Sequence, residues 1–189
     1  MFAGKTTELL RLIRRERIAE QNVELFTPNT DSRYGADIIG SHNEKKQKAE
    51  VIDPDTEIEE ILRVGKKFDT IGIDEANFFT SELVSVVQSL TEENTNVIIA
   101  GLDQTFRGET FEPMGELLAI ADKVQKLNAV CEKCGDTATM TQRLIDGKPA
   151  SINSPTIQVG GDESYEARCR TCHRLKDEEQ TVTSEIRHD

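Results

Sequence analysis

Four cysteines, arranged as two Cys-x-x-Cys pairs with 34 residues between the pairs, constrain this 189-residue chain more than any other feature. The pairs are Cys131/Cys134 and Cys169/Cys172. A two-residue spacer lets one tight turn aim both sulfurs at a single tetrahedral ion, so paired knuckles of this kind fit a four-thiolate zinc site. Two disulfides are the alternative, as is redox use, and both depend on the compartment. The first 20 residues carry Lys5, Glu8, Arg11, Arg14 and Arg15, which leaves no uninterrupted apolar segment for a secretory signal. The reading is therefore a soluble, intracellular, cytoplasmic protein with a structural zinc held by Cys131, Cys134, Cys169 and Cys172. His173 is taken as a bystander. The 34-residue excursion between the pairs is a lasso whose metal replaces a core too small to build.

The rest of the chain alternates helical and strand patterns, which predicts an α/β fold with a mainly parallel sheet covered by helices. Residues 5–19 set Leu9, Leu10, Leu12, Ile13 and Ile18 among arginines, an amphipathic helix. Val23 to Phe26, Phe68 to Ile73, Val97 to Leu102 and Val124 to Val130 read as strands. Helices are expected after Asp55 or Thr56, over Ser81 to Leu90, and from Pro113 to Ala121. Residues 29–48 read as a long polar loop, Ile145 to Lys148 as a turn, and Ser151 to Gly161 as an extended loop. The domain reading is 1–130 for nucleotide binding, 131–174 for the lasso, and 175–189 for an acidic, disordered tail.

Net charge narrows the partners. With 23 Lys and Arg against 35 Asp and Glu the formal charge is −12, which argues against nucleic acid and against anionic membranes. The longest apolar run, Val97 to Leu102, is far below the roughly 20 residues of a bilayer span.

Two short motifs carry chemistry. Gly4-Lys5-Thr6 opens the first helix and matches the end of a phosphate-binding loop. There the glycine admits backbone N–H groups to the phosphates, the lysine reaches the β- and γ-phosphates, and the threonine hydroxyl ligates Mg²⁺. A bland helix start is the competing reading. Thr70-Ile71-Gly72-Ile73-Asp74-Glu75 is a strand ending in two carboxylates, where an aspartate can hold Mg²⁺ and a glutamate can act as base. An incidentally acidic strand end competes here. The two motifs in one α/β pattern point to a magnesium nucleotide.

Further segments occur in a fixed order: Asp74-Glu75-Ala76-Asn77-Phe78-Phe79, Leu102-Asp103-Gln104-Thr105-Phe106-Arg107-Gly108, the cysteine pairs, and Gly160-Gly161 followed by Tyr165. From Met1 to about His173 this order resembles the zinc-containing thymidine kinases of the cellular and bacterial type, with a RecA-like nucleotide domain and a lasso. The resemblance implies transfer of phosphate from ATP to the 5′-hydroxyl of thymidine. It assigns Glu75 as the catalytic base, and Gly4, Lys5, Thr6, Thr7, Arg33, Asp74 and Asn77 to ATP and Mg²⁺. It places Met1, Phe78, Leu102, Phe106, Val159, Gly160, Gly161 and Tyr165 around thymidine, with Tyr165 over the base and lasso backbone on its edge. Phe111 is left to the core. A homotetramer and feedback by dTTP are implied as well. Met1 to Thr6 matches the last six residues of the family's eight-residue phosphate loop. The Gly-Pro start and the strand feeding it are expected upstream, as from a misplaced start or a fragment, the alternative being an impaired polypeptide with a sheet short of a central strand. A RecA-like ATPase or switch with a zinc ribbon is the runner-up, and a zinc-ribbon nucleic-acid module a third reading.

Overall fold

Leu9, Leu10 and Ile13 share one face of the first helix, α1 (Lys5–Ile18), and all three are buried, while its arginines point outward. That helix packs on a sheet, and the sheet positions everything else. The computed structural model describes residues 1–29, 38–39, 47–157 and 163–176. Its described chain falls into two compact units. One comprises Gly4–Asp103 with Thr110–Leu127, and the other Met1–Ala3, Gln104–Glu109 and the residues from Asn128 onward.

In the first unit the strands are β1 (Val23–Pro28), the short antiparallel pair β2 (Ile38–Ile39) and β3 (Gln47–Lys48), β4 (Glu50–Ile52), β5 (Thr70–Ile73) and β6 (Asn96–Ile99). Helices α2 (Ile58–Gly65), α3 (Glu82–Glu92) and α4 (Met114–Ile120) complete it. The main sheet runs β4-β1-β5-β6 with every pairing parallel. All four residues of β5 are buried, as a parallel strand covered on both faces requires. Alternation divides the apolar side chains between two cores. Phe26, Ile71 and Ile73 pack with Ile61, Leu83 and Leu90 of α2 and α3, whereas Leu25 packs with Leu9, Leu10 and Ile13 of α1. The structure is thus a mixed α/β fold consistent with the RecA-like class. The four strands of this sheet are contiguous, with β4 and β6 at its edges among the described residues.

The second unit is antiparallel. Strands β7 (Ala129–Val130) and β8 (Thr137–Ala138) pair across the first cysteine knuckle, and β9 (Met140–Ile145) lies between β10 (Lys148–Pro149) and β11 (Glu163–Arg168). The β9–β10 turn, foreseen at Ile145 to Lys148, has left-handed φ at both Asp146 (51°) and Gly147 (72°), the twist a two-residue hairpin favours. Buried Gln142 acts as an extra strand partner. Its amide nitrogen donates to the Arg174 carbonyl at 2.8 Å, and its oxygen accepts the Arg174 N–H at 2.8 Å.

Three readings of the sequence need correction. The strand expected over Val124 to Val130 shrinks to Ala129–Val130 and pairs with β8 instead of entering the parallel sheet. Its apolar residues are interrupted by Gln125 and Lys126, and Val124 is exposed, so it lacks the continuous buried run such a sheet demands. β4 went unread because it is three residues long and opens on Glu50. β11 went unread because Glu163, Glu166 and Arg168 mask its alternation. Of the tail read as disordered over 175–189, Leu175 and Lys176 are described, and Lys176 is fixed by backbone hydrogen bonds to Ala150 and Ile152, at 3.0 and 3.2 Å; residues 177–189 lie outside the described residues. Among those described, no helix is long and apolar enough to cross a membrane.

Gly72 explains how closely α1 approaches β5. A Cβ there would stand 2.6 Å from Leu25 Cδ2 and 2.9 Å from Ile13 Cδ1, both fully buried. Gly72→Val should therefore destabilise the fold by about 1–3 kcal/mol through overpacking. A urea titration followed by circular dichroism reads the effect, and an unchanged midpoint would contradict this packing.

Candidate active site and metal centre

Strand β5 delivers two carboxylates at its carboxyl end. The Asp74 N–H donates to the Phe26 carbonyl at 3.0 Å and the Ala76 N–H to the Ala100 carbonyl at 2.9 Å, so the acidic pair is pinned by both neighbouring strands. Asp74 is almost fully buried. Its Oδ2 accepts a 2.8 Å hydrogen bond from the Thr6 hydroxyl, and its Oδ1 accepts the Glu75 N–H at 3.0 Å. Glu75 itself stands in the left-handed region at φ 48°, ψ 40°, a conformation that costs a non-glycine residue on the order of 1 kcal/mol or more. This strain turns the chain sharply into the 3₁₀ turn Ala76–Phe78.

Gly4 caps α1 in the left-handed conformation, with φ 75°, and its carbonyl accepts the Glu8 N–H at 3.0 Å. No side chain caps the helix start, which leaves first-turn N–H groups for an anion. Lys5, Thr6 and Thr7 follow in that turn, and the Thr6–Asp74 bond ties it to the acidic strand end. Burial raises the Asp74 pKa, opposed by the hydrogen bond from Thr6. Burial also raises that of Glu75, reinforced by the charge of Asp74 and opposed by Lys5. A desolvated acidic pair beside a lysine is suited to hold a cation and to accept a proton.

Two neighbouring predicted residues, Asn77 and Phe78, make contacts of their own. The buried Asn77 carboxamide oxygen accepts the Leu102 N–H at 2.8 Å, holding the chain after β6 against the β5 turn. Phe78 meets Phe111 edge to face, with centroids 6.3 Å apart. Phe111, which the sequence reading left to the core, thus touches a predicted site residue.

In the antiparallel unit, the Met1 amine donates to the Thr141 hydroxyl at 2.9 Å. Phe106 is buried, and two guanidiniums lie over its ring, Arg107 at 4.8 Å and Arg143 at 5.2 Å from the centroid. Its carbonyl stands 2.9 Å from His173 Nε2, so His173 anchors the Phe106 backbone. Tyr165 lies opposite Arg143 in the β9–β11 register. Arg33, Val159, Gly160 and Gly161 lie outside the described residues. Arg143 and Gln142 stand in no motif, and Arg107, although inside the Leu102–Gly108 segment, has no assigned role there, since no local pattern distinguishes a buried arginine or glutamine from a solvated one.

The four cysteines converge. Their sulfurs all lie within 4.8 Å of one another, and Cys134 and Cys169 are 3.6 Å apart. A tetrahedral zinc with bonds of about 2.3 Å spaces its sulfurs by roughly 3.8 Å, so the donor set fits. None of the four is disulfide-bonded. Each knuckle turns on backbone bonds: the Gly135 N–H donates to the Cys131 carbonyl at 2.8 Å, and the His173 N–H to the Cys169 carbonyl at 3.0 Å. Burial opposes ionisation of Cys131, yet N–H groups of Cys169, Lys133 and Cys134 outweigh it and lower its pKa to about 6. The ligand form is thereby favoured at Cys131, whereas the neighbouring thiols help raise the pKa of Cys134 and Cys172. The apolar cluster around the site consists of small residues, with Ala138 and Ala167 beside Cys131 and Cys169.

A parallel α/β sheet whose acidic strand end is hydrogen-bonded to a Gly-Lys-Thr helix start defines a RecA-like nucleotide-binding protein, here with a cysteine centre fit for zinc. The chain belongs to the thymidine kinase family, whose model matches residues 1–173. It is 49% identical over 179 residues to a thymidine kinase from each of two strains of Halobacterium salinarum, covering 94% of this chain and 92% of the relative. It is 44% identical to a thymidine kinase from Haloquadratum walsbyi, covering 94% and 93% of the two chains. Family membership does not favour the ATPase-switch alternative.

The metal centre yields a direct expectation. Purified protein should carry about one zinc per chain by elemental analysis, and Cys169→Ser should lose that zinc and lower the Tm, because metal binding supplies folding energy in so small a core. Full zinc content in the Cys169→Ser protein would remove Cys169 from the ligand set.

Proposed function

We propose that this chain transfers the γ-phosphoryl group of ATP to the 5′-hydroxyl of thymidine, giving dTMP and ADP. The observation that carries the reading is the Thr6–Asp74 hydrogen bond, because it ties a phosphate-loop hydroxyl to a buried carboxylate with Glu75 next in the chain. The N–H groups at the start of α1 and the ammonium of Lys5 receive the phosphates. Thr6 and Asp74 are the oxygen donors for Mg²⁺, which when bound neutralises charge on the phosphate oxygens. Gly4 and Thr7 belong to this cradle, and Arg33 is assigned to the transferring phosphate by the family likeness. For Asn77 the contacts support a scaffolding part, through Leu102.

Glu75 accepts the proton of the thymidine 5′-hydroxyl. The oxygen then forms its bond to the γ-phosphorus as the bond to the ADP oxygen breaks. Burial and the charge of Asp74 make Glu75 more basic than an ordinary carboxylate, which suits a general base. Met1, Phe78, Leu102, Phe106, Tyr165 and the backbone of 159–161 are assigned to thymidine, and their varied side chains are compatible with backbone readout of the base. The four-thiolate centre is structural, holding the knuckles that frame the lasso. A cytoplasmic homotetramer accords with the family likeness.

Glu75 gives the test. Glu75→Gln should lower kcat for dTMP formation from thymidine and Mg-ATP by about 10²–10⁴-fold while leaving ATP affinity intact. In the parent, activity should fall as pH drops through the raised Glu75 pKa, so the acid limb lies above the usual carboxylate range. Because the folded state holds this proton more tightly than the unfolded chain, ionised Glu75 opposes folding near neutral pH, and its contribution turns favourable as pH falls through that pKa. Glu75→Gln should therefore match or exceed the parent in Tm at pH 7. Undiminished turnover in the variant would dismiss Glu75 as the base.

A further inference from the structure

Arg143 and Arg107 belong to neither the phosphate cradle nor the cysteine centre, and their placement is unusual for cations. Arg143 is fully buried on β9, and Arg107 is mostly buried, with 17% of its side chain exposed. Both guanidiniums lie over one ring, that of Phe106. The same two groups grip one short segment through two backbone carbonyls and one side-chain hydroxyl. Arg107 donates to the Ser154 carbonyl at 2.8 Å and to the Thr156 hydroxyl at 2.5 Å, and Arg143 donates to the Pro155 carbonyl. Arg107 is oriented in turn by Glu109, at 2.9 Å. Three consecutive residues and one aromatic ring are thus fixed by two planar cations.

Burying a guanidinium costs solvation that a leucine or methionine of similar volume would avoid, so packing alone does not account for Arg143. A planar fork does what an apolar side chain cannot: it fixes a carbonyl in direction and an aromatic face in distance together. We propose that Arg107 and Arg143 are positioning residues for nucleoside binding, holding the Phe106 ring and the Ser154–Thr156 backbone in one fixed arrangement. The proposal rests on the assignment of Phe106 to thymidine made above. The contribution of the two arginines lies in the affinity for nucleoside, with ATP handling and the chemical step left to α1 and the end of β5.

Steady-state kinetics on the full chain separate these parts. Thymidine phosphorylation by the parent protein tests the assignment beneath the proposal, and its absence would bring down both. Given that activity, Arg107→Gln should raise the KM for thymidine roughly tenfold, with kcat and the KM for ATP within about twofold of the parent. Arg107→Lys keeps the charge but loses the two-pronged grip, and its KM should rise as well; it carries the measurement should the glutamine variant fail to fold. Phe106→Leu should raise the KM too, and in the Arg107→Gln background its effect should be smaller, because the arginine acts through the ring. An unchanged thymidine KM in the folded Arg107 variants, or effects of the two substitutions that simply multiply, would overturn the positioning role while leaving the kinase reading in place.

Discussion

One hydrogen bond organises the nucleotide half of this protein: the Thr6 hydroxyl to the buried Asp74 carboxylate. It joins the first turn of α1 to the carboxyl end of β5, two places separated by 68 positions in the chain. An isolated buried aspartate would shed its charge by binding a proton. Here the hydroxyl, the Glu75 N–H and nearby Lys5 work against that tendency, and burial still wins, so the carboxylate remains hungry for a cation. That electrostatic demand is what makes the site suited to the proposed magnesium nucleotide.

The bond can form only because the sheet and helix meet at short range. Gly72 lacks a side chain where Ile13 of α1 descends, and Leu25 fills the space beside it. Phe26 and Ile73, pointing the other way, join the second core under α2 and α3. The two cores thus clamp β5 from both faces, and a clamped strand can sustain the left-handed turn at Glu75. Stability in the sheet is converted into strain at the site, a trade found where a side chain must be aimed rather than merely stored.

The antiparallel unit solves a different problem. Its apolar cluster is made of alanines and cysteines, too small for hydrophobic burial to hold it. Directional contacts substitute: four converging sulfurs, the Gln142 amide clamped to Arg174, and two guanidiniums over Phe106. Hydrogen bonds and metal ligation fix angles as well as distances, which hydrophobic contact does not. A small unit built this way has a defined shape at the expense of tolerance to substitution.

The cysteine spacing, the Gly-Lys-Thr start and the acidic end of a β-rich run were local patterns, and local patterns are what a sequence exposes. They marked the two cysteine knuckles and the paired carboxylates, because each of these is a pattern within a few positions, and the alternation of helical and strand periods along the chain gave the α/β class. The strand over Val124 to Val130 was misjudged, and β4 and β11 were missed, because pairing depends on partners distant in the chain and short charged strands carry no periodicity of their own. Only the tertiary structure decided that Thr6 meets Asp74, that Asn77 holds Leu102, and that Arg107 and Arg143 share one aromatic ring. A buried arginine and a solvated one read alike in sequence, since what separates them is the set of neighbours that folding brings.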